Sequence, residues 1–225
     1  MEEEKKAETF EQNEHEIKVF RKAFTSFMVG QILLMISLFG NATIINGVPQ
    51  WLAILLLLEL VAYIFYFVFL IRVRTFNDSF RKSYLSFLVY MVISLLTLFG
   101  GQSTDRTIVM VVRGLDYSIT IIRCVFYLYF FHGCYSFFNK HGFKTGTKRA
   151  RVALIVFLSL YVAWVVIEQL SGMRLLLTNY FFSRFFMLGK WVMLLAVYAF
   201  VLAVVLSANR YMKIKLKERG IKDGE

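Results

Sequence analysis

Arg113, Asp116, Thr120 and Arg123 punctuate the otherwise apolar stretch VVRGLDYSITIIRC, residues 111–124. With Tyr127 they follow the spacing i, i+3, i+7, i+10, i+14, which a helix turning 100° per residue gathers on one face. Arg113 and Asp116 lie one turn apart and can pair directly. Asp116 and Arg123 lie two turns apart, with the Thr120 hydroxyl between them. The face is a polar seam with a cation at each end and a carboxylate in the middle. Its chemistry is recognition, not bond-making, because a guanidinium presents a rigid fork of donors suited to a carboxylate or phosphate.

Three further charges fall in apolar runs: Glu59, Glu168 and Lys190. The six intramembrane charges therefore sum to zero. A lone charge at mid-bilayer costs roughly 2.5–3.5 kcal/mol on insertion scales, so balanced charges must face the bundle interior. Two readings follow. In one, Arg113 and Lys190 draw an anionic or zwitterionic ligand into a water-accessible cleft. In the other, the six charges pair off between helices and specify packing. Counted inward from the outer boundary, Arg123 alone sits deep, opposite stretches that supply no acid. It needs backbone carbonyls, Gln31, tyrosine hydroxyls, water or a bound anion. Arg123 is therefore assigned to function, whereas Arg113 and Asp116 are assigned mainly to each other. Tyr161, Trp164 and Glu168 form a lesser stripe on helix 5, in which only the carboxylate rises above packing.

These side chains need membrane-spanning helices to position them. The chain has 225 residues, is 58% hydrophobic and 17% aromatic, and has a mean hydropathy of +0.61. Six apolar runs, at about 24–45, 51–71, 84–100, 108–131, 152–172 and 185–207, approach the ~20 residues that a ~30 Å hydrocarbon layer demands of a helix. The run WLAILLLLELVAYIFYFVFLI holds a single charge. Barrel strands would alternate and be about half as long. The expected fold is an all-α polytopic membrane bundle of six transmembrane helices arranged as three hairpins.

The net charge of +11 is distributed as topology demands. Segments 1–22, 72–82, 140–151 and 209–225 carry 5, 4, 5 and 6 of the 26 Lys and Arg residues, whereas 41–50, 101–107 and 171–184 carry 0, 1 and 2. Under the positive-inside rule both termini are cytoplasmic. The basic excess then serves orientation and attraction to anionic headgroups, and nucleic acid is excluded as a partner. The expected divisions are a cytoplasmic tail at 1–22, a transmembrane domain at 23–208 with hairpins at about 23–72, 81–134 and 150–208, and a basic cytoplasmic tail at 209–225. The expected location is the plasma (inner) membrane.

FRKAFTSFMVGQILLMISLFG (20–40) and FRKSYLSFLVYMVISLLTLFG (80–100) align without a gap at an offset of 60, sharing FRK at one end and LFG at the other. An offset of two spans preserves orientation, so this is a parallel repeat. The third hairpin matches in layout only. Phe76-Asn77, Phe138-Asn139 and Ala208-Asn209 mark similar ends for helices 2, 4 and 6.

Catalytic signatures are missing. There is no glycine-rich phosphate loop, nucleophile elbow, HExxH or pair of catalytic carboxylates on one helix, so the expectation is not an enzyme. Cys124 and Cys134 lie about 15 Å apart along one helix, beyond disulfide reach of each other. No Cys/His cluster has metal-ligand spacing. His132 is read as an interfacial histidine packed among aromatics. The expected function is a small solute transporter or channel-like unit whose helix 4 seam handles an anionic or zwitterionic ligand, with a non-catalytic regulatory or sensory membrane subunit as the alternative. Expected partners are the lipid bilayer, further copies of the chain or a membrane partner protein, and an anionic small molecule, with no cofactor.

Overall fold

In a computed structural model of the chain, residues 2–43, 49–100, 106–172, 210 and 212–214 are described. Five helices run in order: α1 (Glu2–Thr43), α2 (Pro49–Val73), α3 (Asp78–Gly100), α4 (Arg106–Lys140) and α5 (Lys144–Gly172). The described residues are all-helical, without strands. Among the described residues three stretches are long and apolar enough to cross a membrane: His15–Ser37, Ile54–Val73 and Ile121–Lys140.

Local chemistry sets the helix ends. The chain's single proline, Pro49, opens α2, where its fixed φ suits a first turn and its missing N–H costs nothing. Asn77 caps α3, its Oδ1 accepting from the Phe80 N–H at 2.8 Å, and Asp78 follows in the first turn, where the helix dipole favours a negative charge. α4 ends in a Schellman turn. Gly142 takes φ 71°, its N–H donates to the Asn139 carbonyl at 3.2 Å, and the Phe143 N–H donates to the Phe138 carbonyl at 2.8 Å. The Phe143 ring meets the Phe138 ring edge-on at 6.2 Å, completing the hydrophobic contact of that motif. The likeness between Phe76-Asn77 and Phe138-Asn139 therefore does not hold. Asn77 starts a helix beyond the end of α2, whereas Asn139 lies inside the last turn of α4.

Successive helices pack antiparallel. Ser37 on α1 donates to the Leu55 carbonyl on α2 at 3.1 Å, while Phe20 lies against Phe69 near the other end. Likewise Ser83 on α3 donates to the Phe126 carbonyl on α4 at 3.2 Å, and Asn77 Nδ2 reaches the Gly133 carbonyl at 3.0 Å. α5 packs on α4 through Phe157, which touches Tyr127 and Phe131. The repeat is visible in this packing. Phe20 and its counterpart Phe80 are both buried, as are Phe27 and Phe87, and each pair faces Phe69 with Tyr66 or Phe130 with Phe126 on the following helix. The second helix expected for the hairpin at 150–208 lies outside the described residues.

Burial follows side-chain type more than hydropathy. The interior is aromatic, with Phe20 stacked on Phe137 at 4.0 Å, Phe27 on Phe130 at 4.3 Å and Phe27 on Tyr66 at 4.6 Å. The first two stacks bridge α1 to α4, whose backbones do not approach closely, and the third joins α1 to α2. Aliphatic residues point outward: Leu57, Leu60 and Ile64 on α2 and Leu85, Val89, Val92 and Leu96 on α3, all near half exposed or more. Water would not tolerate such continuous apolar stripes on a monomer, whereas lipid matches them. With no gain from hiding aliphatic groups that lipid already solvates, helix association rests on close packing and interhelical hydrogen bonds. Stacked rings supply the packing.

α1 has 42 residues, about 63 Å at 1.5 Å per residue, twice the hydrocarbon thickness. It runs through the expected boundary at residue 22 without a break, and Ile17 and Phe20 are already in the core. The antiparallel succession gathers Lys22, Arg72, Arg74, Arg81, Lys82, Lys140 and Lys144 at one end of the bundle. There Glu16 receives Lys140 Nζ at 2.7 Å and lies 3.2 Å from His141 Nε2.

At Gly30 the backbones of α1 and α2 approach closely. A methyl group there would lie 2.9 Å from the Ala62 carbonyl oxygen, which as backbone cannot swing away. Gly30→Val is expected to destabilise the fold by about 1–3 kcal/mol, as overpacking does. Thermal unfolding in detergent measures this, and an unchanged Tm would show that the two helices separate freely at this crossing.

A candidate site around Arg123

The described half of the α4 polar face meets α3 and α2 through a chain of polar side chains. Arg123 Nη2 donates to the Tyr90 hydroxyl on α3 at 2.8 Å, and its guanidinium carbon sits 5.1 Å from the centre of the same ring. The Tyr90 hydroxyl lies 2.5 Å from the Tyr63 hydroxyl on α2. Tyr63 donates in turn to Glu59 Oε1, one turn back on its own helix. The two ends fix the direction of the chain. A guanidinium only donates and an ionised carboxylate only accepts, so Tyr90 donates to Tyr63 and Tyr63 to Glu59. Every hydroxyl then points its dipole toward the carboxylate, and charge-assisted bonds at both ends polarise the middle one.

Helix geometry explains why these four residues converge. Glu59 and Tyr63 are four apart on α2 and share a face. The antiparallel α2–α3 register sets Tyr63 against Tyr90, their rings edge-to-face at 5.5 Å. The α3–α4 register sets Tyr90 against Arg123. Below this layer Gln31, fully buried on α1, accepts from the Tyr66 hydroxyl, tying α1 to α2.

A cavity of about 10 Å³ lies beside the guanidinium, lined by Tyr63, Tyr66, Tyr90, Arg123 and Tyr127 among apolar neighbours. That is room for about one water molecule. The site is polar and closely packed around this small cavity.

Of the residues singled out from the sequence, Glu59 and Arg123 are joined, although their spacing along the chain placed them at different depths and in separate roles. Arg123 meets a tyrosine hydroxyl, one of the partners expected for it, and through that hydroxyl shares a network that ends on an acid. The chain reaches Glu59 from the deeper layer through two tyrosines. Arg113, Asp116 and Thr120 lie on α4, and Glu168 lies on α5, but their side chains fall outside the described set, as does all of Lys190. Their pairing is therefore not placed. Tyr127, from the same face, is buried against Phe157 of α5 and lines the cavity.

Tyr63 and Tyr90 were not singled out. Tyr63 carried a legible signal, four residues after the one acid of its span. Tyr90 carried none beyond being a tyrosine in mid-span. The two histidines at this end of α4 differ in burial. His132 is exposed, its Nδ1 2.8 Å from the Ser79 hydroxyl, whereas His141 packs against Phe137 at 4.4 Å beside Glu16. Chain position could not separate the two, because which helix faces the start of α1 is a tertiary fact.

Compared with known protein families, with curated proteins and with solved structures, the chain matches none.

Proposed function

We propose that this is a six-span protein of the plasma (inner) membrane, built of three helical hairpins with both termini cytoplasmic, that handles a small anionic or zwitterionic solute as a transporter or channel-like unit. The observation that carries this reading is the Arg123–Tyr90–Tyr63–Glu59 chain. It places a cation and a carboxylate at the two ends of one hydrogen-bonded chain, separated by two hydroxyls. An anion arriving along the α4 seam can take the place of Tyr90 as an acceptor for Arg123, while Glu59 keeps the Tyr63 hydroxyl. The guanidinium is then the solute-binding group and Glu59 the internal competitor for it. Arg113, Asp116, Thr120, Glu168 and Lys190 extend the path outward from there.

The test uses the full chain in proteoliposomes, with chloride, inorganic phosphate and a small dicarboxylate as probes. Uptake of one of them by the natural protein is expected to fall at least tenfold in Arg123→Gln and to be partly retained in Arg123→Lys. Glu59→Gln, by removing the competitor, is expected to lower KM. Uptake of no probe, or full uptake by Arg123→Gln of unchanged stability, overturns the transport reading.

The small volume beside Arg123 favours a second reading, a non-conducting regulatory subunit that signals through its basic tail. Deleting residues 213–225 separates the two. A transporter keeps most of its uptake, whereas a subunit that works by docking loses its effect.

Topology is tested separately. Single cysteines replacing Asn46, Ser103 and Thr178 in a background free of Cys124 and Cys134 are expected to react with an impermeant thiol reagent from outside intact cells. Reaction only in inverted vesicles would reverse the orientation.

A further inference from the structure

The α2–α3 turn holds a second polar site, remote from Arg123. A cavity of about 550 Å³ opens there, lined by Arg74, Thr75, Asn77, Asp78, Arg81, Tyr84 and Leu85. It lies immediately past the end of the Ile54–Val73 span, at the level where phospholipid headgroups meet water.

Its charges are set out for a ligand of two signs. Arg74 is held over the Tyr84 ring, its guanidinium carbon 5.3 Å from the centre, so its position is fixed while its N–H groups stay available. Asp78 and Arg81 stand one turn apart on α3, a spacing that permits an ion pair. Among the described residues they form none with each other or with any neighbour. Two guanidiniums offer forked donors to a phosphate, while the Asp78 carboxylate offers an acceptor to a cation. Leu85, about half exposed, adds an apolar edge one turn further toward the membrane centre.

We infer that this cavity binds the headgroup of a zwitterionic phospholipid, the phosphate on Arg74 and Arg81 and a primary amine on Asp78, with the start of the acyl region against Leu85. A phosphoglycerol headgroup offers the same phosphate but only neutral hydroxyls where the amine would stand, leaves the Asp78 charge unbalanced, and is the disfavoured ligand. The lipid source follows from the position at the end of a span and from the apolar edge. The inference rests on the membrane reading of the chain but not on transport, so failure of the anion-uptake experiments leaves it standing.

Native mass spectrometry of the full chain released from detergent tests it, with phosphatidylethanolamine, phosphatidylglycerol and soluble phosphoethanolamine added in turn. Phosphatidylethanolamine is expected to bind at least fivefold more tightly than either alternative. Arg81→Gln and Arg74→Gln are each expected to weaken it five- to tenfold, and Arg81→Lys to recover part of the loss. Asp78→Asn is expected to bring phosphatidylglycerol level with or above phosphatidylethanolamine, a change of preference that mere loosening of the turn would not produce. Equal binding of soluble phosphoethanolamine overturns the lipid assignment. Unchanged binding in both arginine variants, or an unaltered preference in Asp78→Asn, overturns the site.

Discussion

Arg123→Gln is expected to destabilise the folded protein by about 2–3 kcal/mol, the order that an unbalanced charge costs within a span. Glu59→Gln is expected to cost about the same, and the double variant clearly less than the two together. The reasoning follows the chain of hydrogen bonds. Arg123 and Glu59 are coupled through Tyr90 and Tyr63, so removing one end alters the charge balance felt at the other in a layer that holds room for about one water. Removing both leaves neutral amides and hydroxyls, which can keep hydrogen bonds without a field to balance. Members of one network show interaction energies of about 0.5–3 kcal/mol, and a double-mutant cycle on unfolding in mixed micelles reads that term directly. Tyr90→Phe cuts the chain at its centre and is expected to cost about 1–1.5 kcal/mol, since it removes an acceptor for Arg123 and a donor to Tyr63 together. Additivity of the two end substitutions within 0.5 kcal/mol would mean that the tyrosines do not couple the charges.

Phe20→Ala is expected to have the largest effect of any single apolar truncation, about 3–5 kcal/mol. Phe20 is fully buried where α1, α2, α3 and α4 meet. Its ring stacks on Phe137 at 4.0 Å and also touches Phe69, Phe76, Phe80 and Phe138, so one truncation removes contacts to every neighbouring helix. Because α1 and α4 are joined by rings with their backbones apart, collapse around the missing ring would require a whole helix to move. The cavity term is therefore expected to remain. Leu57, 62% exposed on α2, provides the contrast, and Leu57→Ala is expected to stay within about 0.5 kcal/mol of the natural protein in detergent. Phe20→Leu, which keeps most of the volume, should fall between them. If Phe20→Ala and Leu57→Ala unfold alike, aromatic interdigitation is not what holds the bundle together.

Helical class, the apolar elements and the gathering of basic segments at one end were legible from residue order alone. Each depends on properties that act locally or along one helix. A hydrocarbon layer sets a length, a helix sets a 100° turn, and an antiparallel succession of helices must bring alternate connections to one end. The FRK…LFG repeat was legible for the same reason, and the buried equivalence of Phe20 with Phe80 and Phe27 with Phe87 is its packed form. The turn at Gly142 also follows from local chemistry, since only glycine takes that φ without strain.

Partnership between helices was decided by the tertiary structure. Spacing on α4 identifies Arg123 as lying on a polar face, but only the registers of α2 on α3 and of α3 on α4 determine that Tyr90 meets it and that Glu59 stands at the far end. A register shift of one turn, about 5.4 Å, would leave every helix and every helical face unchanged while breaking the chain. The choice of His141 over His132 as the buried histidine, and the inward placement of aromatics with aliphatics outward, depend in the same way on which faces meet. Residue order determines what each helix offers. The fit of rings against neighbouring helices determines which offers are taken up, because in lipid that fit, more than apolarity, distinguishes one arrangement of helices from another.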